Sequence, residues 1–413
     1  MHLKGILSVI GILSIFMSYG QAQNSHLRWV ALPDSLIQVN SFGEGLAKVQ
    51  TSTGRIGYID SSGNYIIRLN KSFVDAGNFQ DGYAWVYRKS ADSKQYGFMD
   101  KKGNIRISCQ YDKVENFSNG LALVHTEAVG WQLIDSTGSV LLGDTSLLVK
   151  EPVYQGDKLV EWQEVEPPAS QDGRMLTFKA GKYGYLNSQG QPVIACRFLK
   201  ATGYANGVAL AAVDSVKDQF AKMDTTRDLL DDLYDNLEPG PPEYIWTLID
   251  SNGQQIRTFN PGWTLDVTRG FSQRLLPFKN EQGFWGFINT HGQVTIPAKF
   301  RQEPSPFSDG VCFLSVRGQS ADNKDGYMLV IDTAGEKIAK IPFCNKNGCI
   351  YDSRQAYHEG LMAVKIGQNW GYMDKTGKMV VPPEYETALD FCEGRAVVIT
   401  QDGRLKVLIN PLH

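Results

Sequence analysis

The sequence predicts an all-β tandem array, on three observations. One short phrase returns nine times; its flanks alternate small apolar residues at period two; and each copy carries an Asp-x-x-Gly or Asn-x-x-Gly turn. The clearest copy runs Gly360-Leu361-Met362-Ala363-Val364, then Trp370-Gly371-Tyr372-Met373-Asp374, Gly377, Val380-Val381-Pro382-Pro383 and Tyr385. A chain built from copies of one small unit buries each unit's face against its neighbours.

The acidic or amide residue closing the middle segment serves as a ruler: Asp60, Asp100, Asp135, Asn187, Asp250, Asn289, Asp332, Asp374 and Asn410. The steps from 135 to 187 and from 187 to 250 are long and carry insertions. Before each middle segment lie alternating pairs, among them Ala47/Val49, Ala84/Val86, Ala122/Val124, Ala209/Ala211, Met362/Val364 and Ala396/Val398. Period two predicts a first strand with one buried face. The middle segment is aromatic and β-favouring, a second strand. The ruler side chain can accept a hydrogen bond from the backbone two residues on, and the following Gly tolerates positive φ, so a tight turn follows. A third strand, such as Ile105 to Ile107 or Val294 to Ile296, ends at Pro297 or Pro382 in two copies, since proline cannot continue a ladder. Each unit then reads as a three-stranded antiparallel meander, about nine in all.

Four residues before the ruler stands an aromatic (Tyr96, Trp131, Tyr183, Trp246, Trp285, Trp370), and Gly57, Gly97, Gly184, Gly286 or Gly371 follows at the next place. The pair could be a ligand platform. Recurrence in unit after unit favours a packing anchor, the Gly leaving room for a ring from the neighbouring unit; a valine there should cost roughly 1–3 kcal/mol by overpacking. Calcium loops need several oxygen ligands at alternate positions, whereas these turns supply one carboxylate each. These residues resemble the bacterial WG-repeat family from about Leu27 onward, most strongly at 42–142, 283–340 and 357–410. Gln132, Thr247 and Leu329 stand where Gly is expected, and those units should pack differently. The resemblance implies an all-β repeat fold and an interaction role, and carries no catalytic residues.

Residues 1–22 look like a signal peptide: Lys4, the apolar stretch from Ile6 to Met17, and Gly20-Gln21-Ala22 before a cleavage point at Gln23. The apolar stretch is too short for a comfortable membrane span. The expectation is a secreted, periplasmic or cell-envelope protein with one repeat domain over 23–413 and no membrane span after signal removal. The formal net charge of −3 gives no basic footprint for nucleic acid.

Export permits disulfides among the six Cys. Cys109 and Cys196 precede the aromatic that ends the third strand by two residues, the place of Pro383, and read as small packed residues. Cys344 and Cys349 flank a turn sequence; a bond and two free thiols both remain open. The insertion 214–242 carries Val216, Phe220, Met223, Leu230, Leu233 and Leu237 at helical steps, so it reads as an amphipathic helical excursion. Its acids Asp228, Asp231, Asp232 and Asp235 read as a solvated face.

Metalloprotease, serine-hydrolase, β-lactamase and Cys-x-x-Cys patterns are absent, as are phosphate-binding glycine loops. A glycosidase would need two facing carboxylates, which only different units could bring together. No catalytic, cofactor-binding or metal residues are therefore assigned. The leading expectation is an exported scaffold presenting a β surface to a protein partner or a cell-envelope polysaccharide. The alternatives are a hydrolase-like enzyme with a site between repeats and a structural envelope or adhesin component.

The ends of the chain are complementary. Residues 395–409 provide a first and second strand with no third, while Trp29-Val30-Ala31-Leu32-Pro33 reads as a third strand without its first two. Ring closure, as in propellers that hide their edges, and an open superhelix both follow, with the complementarity favouring the ring. Nine units and three strands both sit outside the usual propeller numbers.

Overall fold

The computed structural model describes residues 27–33, 35–89, 94–143, 149–155, 158–165, 172–215, 244–318, 326–345, 348–353 and 356–413. The signal-like segment and nearly all of the 214–242 insertion lie outside these residues. Asp214 and Ser215 close the strand Ala209–Ser215. Among the described residues all regular structure is β. The chain forms two compact units: Met1–Ile66 with Arg317–Val330 and Ile338–His413, and Ile67–Val316 with Ile331–Lys337.

In the second unit four of the described sheets have four strands rather than the expected three, while Met175–Lys179, Lys182–Leu186 and Pro192–Phe198 form a sheet of three. One sheet is Phe73–Ala76, Tyr83–Lys89, Lys94–Asp100 and Ile105–Tyr111, in that order and antiparallel. The next begins at Lys113–Val114 and continues through Leu121–Thr126, Gly130–Asp135 and Val140–Leu142. The extra strand comes from the segment read as a connecting loop. It is short, it lacks the alternation of the others, and it forms because the chain leaving one sheet meets the free edge of the next.

The first strands also differ from the one-faced expectation. All of the alternating pairs are buried, but so are the residues between them in Leu121–Thr126, where Leu121, Ala122, Leu123 and Val124 are each at most 5% exposed. Ala122 and Val124 pack with Phe98 and Ile107 of the preceding sheet and with Phe117, which joins the first two strands of their own. Leu121 and Leu123 pack with Met175 and Leu186 of a later one. Each sheet is thus a layer between two apolar cores, which is why no single repeat could be stable alone.

Two residues either side of the 216–243 segment are cross-strand partners, Ser215 with Tyr244. The ladder ends where a tight turn could close it. Replacing 216–243 with a short Gly-Asn-type turn should therefore leave the β signal in far-UV circular dichroism intact; collapse of that signal would place the segment in the core.

In the first unit, strands Gly348–Ser353, Leu361–Ile366, Asn369–Asp374, Met379–Ala388, Arg395–Thr400 and Leu405–Ile409 form a continuous antiparallel sheet. Trp29–Val30 adds to its end, Trp29 opposite Leu408 and Val30 opposite Val407. Residues near the two termini are adjacent, as the missing pieces suggested. Val397 and Val407 share a core with Val30, Val39, Ala47 and Ile59, so the last repeat packs on the first. Cys344 and Cys349 are joined by a disulfide, with Cα atoms 3.9 Å apart. Phe343 accepts the Ile350 N–H at 2.7 Å, so by strand alternation Cys344 and Cys349 occupy the neighbouring non-hydrogen-bonded pair, where side chains lie closest.

Candidate functional site

The repeated polar residues form the fold's own hydrogen bonds. In the turns led by Asp60, Asp100, Asp135, Asn187, Asp250, Asn289, Asp332 and Asp374, Oδ1 accepts the backbone N–H groups two and four residues on, at 2.8–3.0 Å. At Asp100, desolvation pushes the pKa up, but bonds from the Asn104 backbone and side chain, the Arg106 guanidinium and the Lys102 N–H outweigh it and hold it at about 2. These side chains are engaged locally, within their own turns. Among the described residues no group of three or more His, Cys, Asp or Glu could hold a metal ion.

The glycine of the Trp/Tyr-Gly step does not receive a ring from another unit. Trp370 pairs with Tyr385 and Tyr372 with Val381, so Gly371 alone stands opposite Pro382, Pro383 and Glu384. The third strand bulges toward it: a Cβ on Gly371 would meet the Val381 carbonyl O at 2.6 Å and the Pro383 N at 2.8 Å. Gly97, Gly184 and Gly286 face the same bulge in their own sheets: a Cβ on each would meet the carbonyl O of Ile107, Ile194 and Ile296 at 2.5, 2.6 and 2.6 Å respectively. The strands consequently run past the prolines expected to end them, as Val294–Phe300 and Met379–Ala388; proline is tolerated because the bulge interrupts the ladder. Cys109 and Cys196 sit at the bulge, half-buried and outside any disulfide, and burial pushes their thiols up. Where Thr247 replaces the glycine, the third strand is only Gln255–Thr258 and lacks this bulge.

The aromatic of the step packs within its own sheet. Tyr96 stacks on its cross-strand partner Tyr87 at 4.8 Å, and Tyr183 meets Phe178 at 4.9 Å. Neighbouring repeats are instead joined at the turn glycines and by a side chain the sequence reading overlooked. Gly138 lies against Ile107, Gly253 against Ile194 and Gly377 against Ile341, each aliphatic coming from the preceding repeat's third strand. The acid before an opening glycine reaches forward one repeat: Asp81 to the Gly120 N–H at 2.9 Å, Asp172 to Gly207 at 2.7 Å, and Glu359 to Gly394 at 2.9 Å; Gln273, which precedes Arg274 rather than a glycine, makes the same bond to Gly310 at 2.8 Å. Glu393 makes the same bond to Gly45 at 2.8 Å, from the last repeat to the first. The visible signal was the recurring Glu/Asp/Asn-Gly dipeptide, whose first residue adopts positive φ. Glu359→Ala should cost about 1–2 kcal/mol in urea unfolding, with Glu359→Gln retaining most of it, because an accepting oxygen is what the glycine N–H requires.

One surface cleft of about 410 Å3 stands apart from the repeat pattern, in the second unit. Its lining includes Asn260, Trp263, Phe278, Asn280, Glu281 and Val294. Trp263 stacks on Phe278 with ring centroids 4.3 Å apart, and Glu281 accepts a 2.7 Å bond from the Asn260 side chain. A second depression is lined by Thr202, Val208, Arg269 and Phe271. Its only guanidinium is already paired with Asp266 and Glu303.

The family model described as WG containing repeat matches the chain at residues 56–89, 96–125, 183–215, 285–318 and 370–403. The recurring phrase is therefore the WG containing repeat, present at these five places. Comparison with curated proteins gives no match. Among solved structures the chain is similar to BamB from Moraxella catarrhalis, at 14% identity over 93% of this chain and 99% of that one, with a TM-score of 0.39. It is similar to a eukaryotic initiation factor at 11% identity, over 85% and 88%, with a TM-score of 0.47. A third is YCF48 bound to D1 peptide, at 10% identity over 93% and 95%, with a TM-score of 0.33. No helix among the described residues is long and apolar enough to cross a membrane.

Proposed function

We propose that the chain is an exported β-repeat scaffold whose surface binds a partner, a protein or a cell-envelope glycan, and that it performs no chemistry of its own. The observation that carries this reading is the use of the recurrent polar groups. The ruler carboxylates are engaged by backbone N–H groups within their own turns, and the acids before the opening glycines tie one repeat to the next. A recurring constellation devoted to holding the array supports a scaffold role. In this proposal the mature protein begins at Gln23 in the periplasm or outside the cell. Its repeats close into a propeller-like ring, for which the pairing of Trp29 with Leu408 and the Glu393 to Gly45 bond are the support. Four-stranded sheets also remove the strand-count objection to a propeller.

The test is affinity capture of the mature protein from envelope extract, with a peptidoglycan pull-down in parallel. Saturable retention of one protein or of the glycan is the expected result. Turnover of a polymeric substrate by the purified chain would overturn the reading.

A further inference from the structure

We propose that the Trp263 cleft is a sugar-binding subsite that takes one neutral pyranose unit of a glycan; this rests on the binding-scaffold reading and narrows its partner. The cleft arises at a repeat junction built on a longer turn. At two other junctions of the second unit the third strand passes almost directly into the next sheet, Ile105–Tyr111 into Lys113–Val114 and Pro192–Phe198 into Lys200–Ala201. After Gln255–Thr258 the chain instead makes the turn Phe259-Asn260-Pro261-Gly262-Trp263.

The same turn occurs at Leu69-Asn70-Lys71-Ser72-Phe73. In both, the Asn Oδ1 accepts the N–H two residues on at 2.9 Å. Phe73, however, is 6% exposed, and its cross-strand partner Arg88 lies over the ring at 4.9 Å. Around Trp263 the arrangement differs: the indole stacks on Phe278 and Phe259, with ring centroids 4.3 and 6.4 Å away, and no guanidinium lines the cleft. The neighbouring pair is Thr264 with Lys279, which places Asn280 across from Trp263. A larger, half-buried indole thus meets an amide where its counterpart meets a guanidinium.

The rim is built as well as open. Gly262 replaces Ser72, and a Cβ there would strike the Glu281 Cγ at 2.5 Å. The bare glycine lets Glu281 lie across the turn and bond Asn260. The result is an indole and apolar wall (Val294, 43% exposed, with Ala298) beside amides from Asn260, Asn280 and Gln282 and one carboxylate, with no Lys, Arg or His among the lining residues. That set disfavours anions. It suits a ring with one C–H face for the apolar wall and hydroxyl groups that both donate and accept for the amides and Glu281.

The test is calorimetric or NMR titration of the full chain with defined neutral oligosaccharides: chito-, cello- and malto-oligomers. At least one should saturate with Kd at or below about 1 mM. Val294→Arg, at an exposed position the fold does not need, and Trp263→Ala, checked for folding by circular dichroism, should each weaken binding at least tenfold. Ile105→Arg, at the same ruler position in another repeat, should leave it unchanged. If none of the oligosaccharides saturates, the subsite is overturned, while a protein retained in the envelope capture would still uphold the scaffold. Binding that survives both cleft variants would place the sugar elsewhere and overturn the cleft assignment alone.

Discussion

Gly371→Val is expected to destabilise the protein by about 3 kcal/mol or more, at or above the upper end of the usual overpacking range. The physical reason is what surrounds the position. A side-chain clash can be relieved by a rotamer change, whereas Gly371 faces the Val381 carbonyl and the Pro382-Pro383 backbone, with prospective contacts of 2.6–2.8 Å. To admit a Cβ the third strand would have to move away, undoing the bulge and the Trp370 to Tyr385 and Tyr372 to Val381 pairings on either side of it. Even Gly371→Ala should destabilise. That outcome has the opposite sign to the usual effect, since replacing glycine inside a strand normally gains roughly 0.5–1 kcal/mol. Gly203→Ala supplies the control, because nothing lies within 4 Å of its prospective Cβ. Urea midpoints for the three variants check the argument; an unchanged midpoint for Gly371→Val would mean that the bulge can relax at no cost.

The glycine also shows how far the sequence was legible. Its recurrence marked a position where no side chain fits, and the ruler residue four places after the aromatic located the turns correctly, because both are local patterns with local causes. What excludes the side chain was not legible. The bulge depends on how residues 382–384 pair across the sheet, and Pro382 read alone signals a strand end. The fourth strands were hidden for a similar reason: Lys113–Val114 is two residues long and acquires its identity from Leu121–Thr126. The two-sided burial of first strands follows from layering, which period-two alternation cannot report when Leu123 is as apolar as Ala122. The cleft was least visible of all. Trp263 belongs to no ruler position, and its environment emerges only by comparing two turns, at Phe73 and Trp263, that differ in what stands opposite. Recurrence reveals the scaffold; a departure from it becomes legible only once the scaffold's geometry is known.

The largest stabilisation is expected from joining the two ends of the chain. Arg28 O accepts the Ile409 N–H at 2.9 Å. Residues 28 and 409 are therefore a hydrogen-bonded pair, and Trp29 and Leu408, next in register, are a non-hydrogen-bonded pair. Opposed Cα atoms in such a pair lie about 4.5 Å apart, close enough for a disulfide. In the double variant Trp29→Cys with Leu408→Cys, a cross-link should form on mild oxidation and appear as one linked peptide in mass spectrometry. It would close a loop spanning nearly the whole chain, and loop-closure entropy then stabilises the folded state by about 5 kcal/mol, the top of the observed range. The substitutions themselves remove packing: Leu408 is fully buried, and Trp29 meets Tyr385 at 6.1 Å between ring centroids. The comparison must accordingly be between the oxidised and reduced forms of the same variant, in which that loss cancels. Unfolding of the first unit should shift to higher denaturant on oxidation and return on reduction. Failure of the cross-link to form, in a variant that keeps its β signal, would show that Trp29–Val30 does not occupy the end of the sheet in solution, and would remove the main support for a closed array.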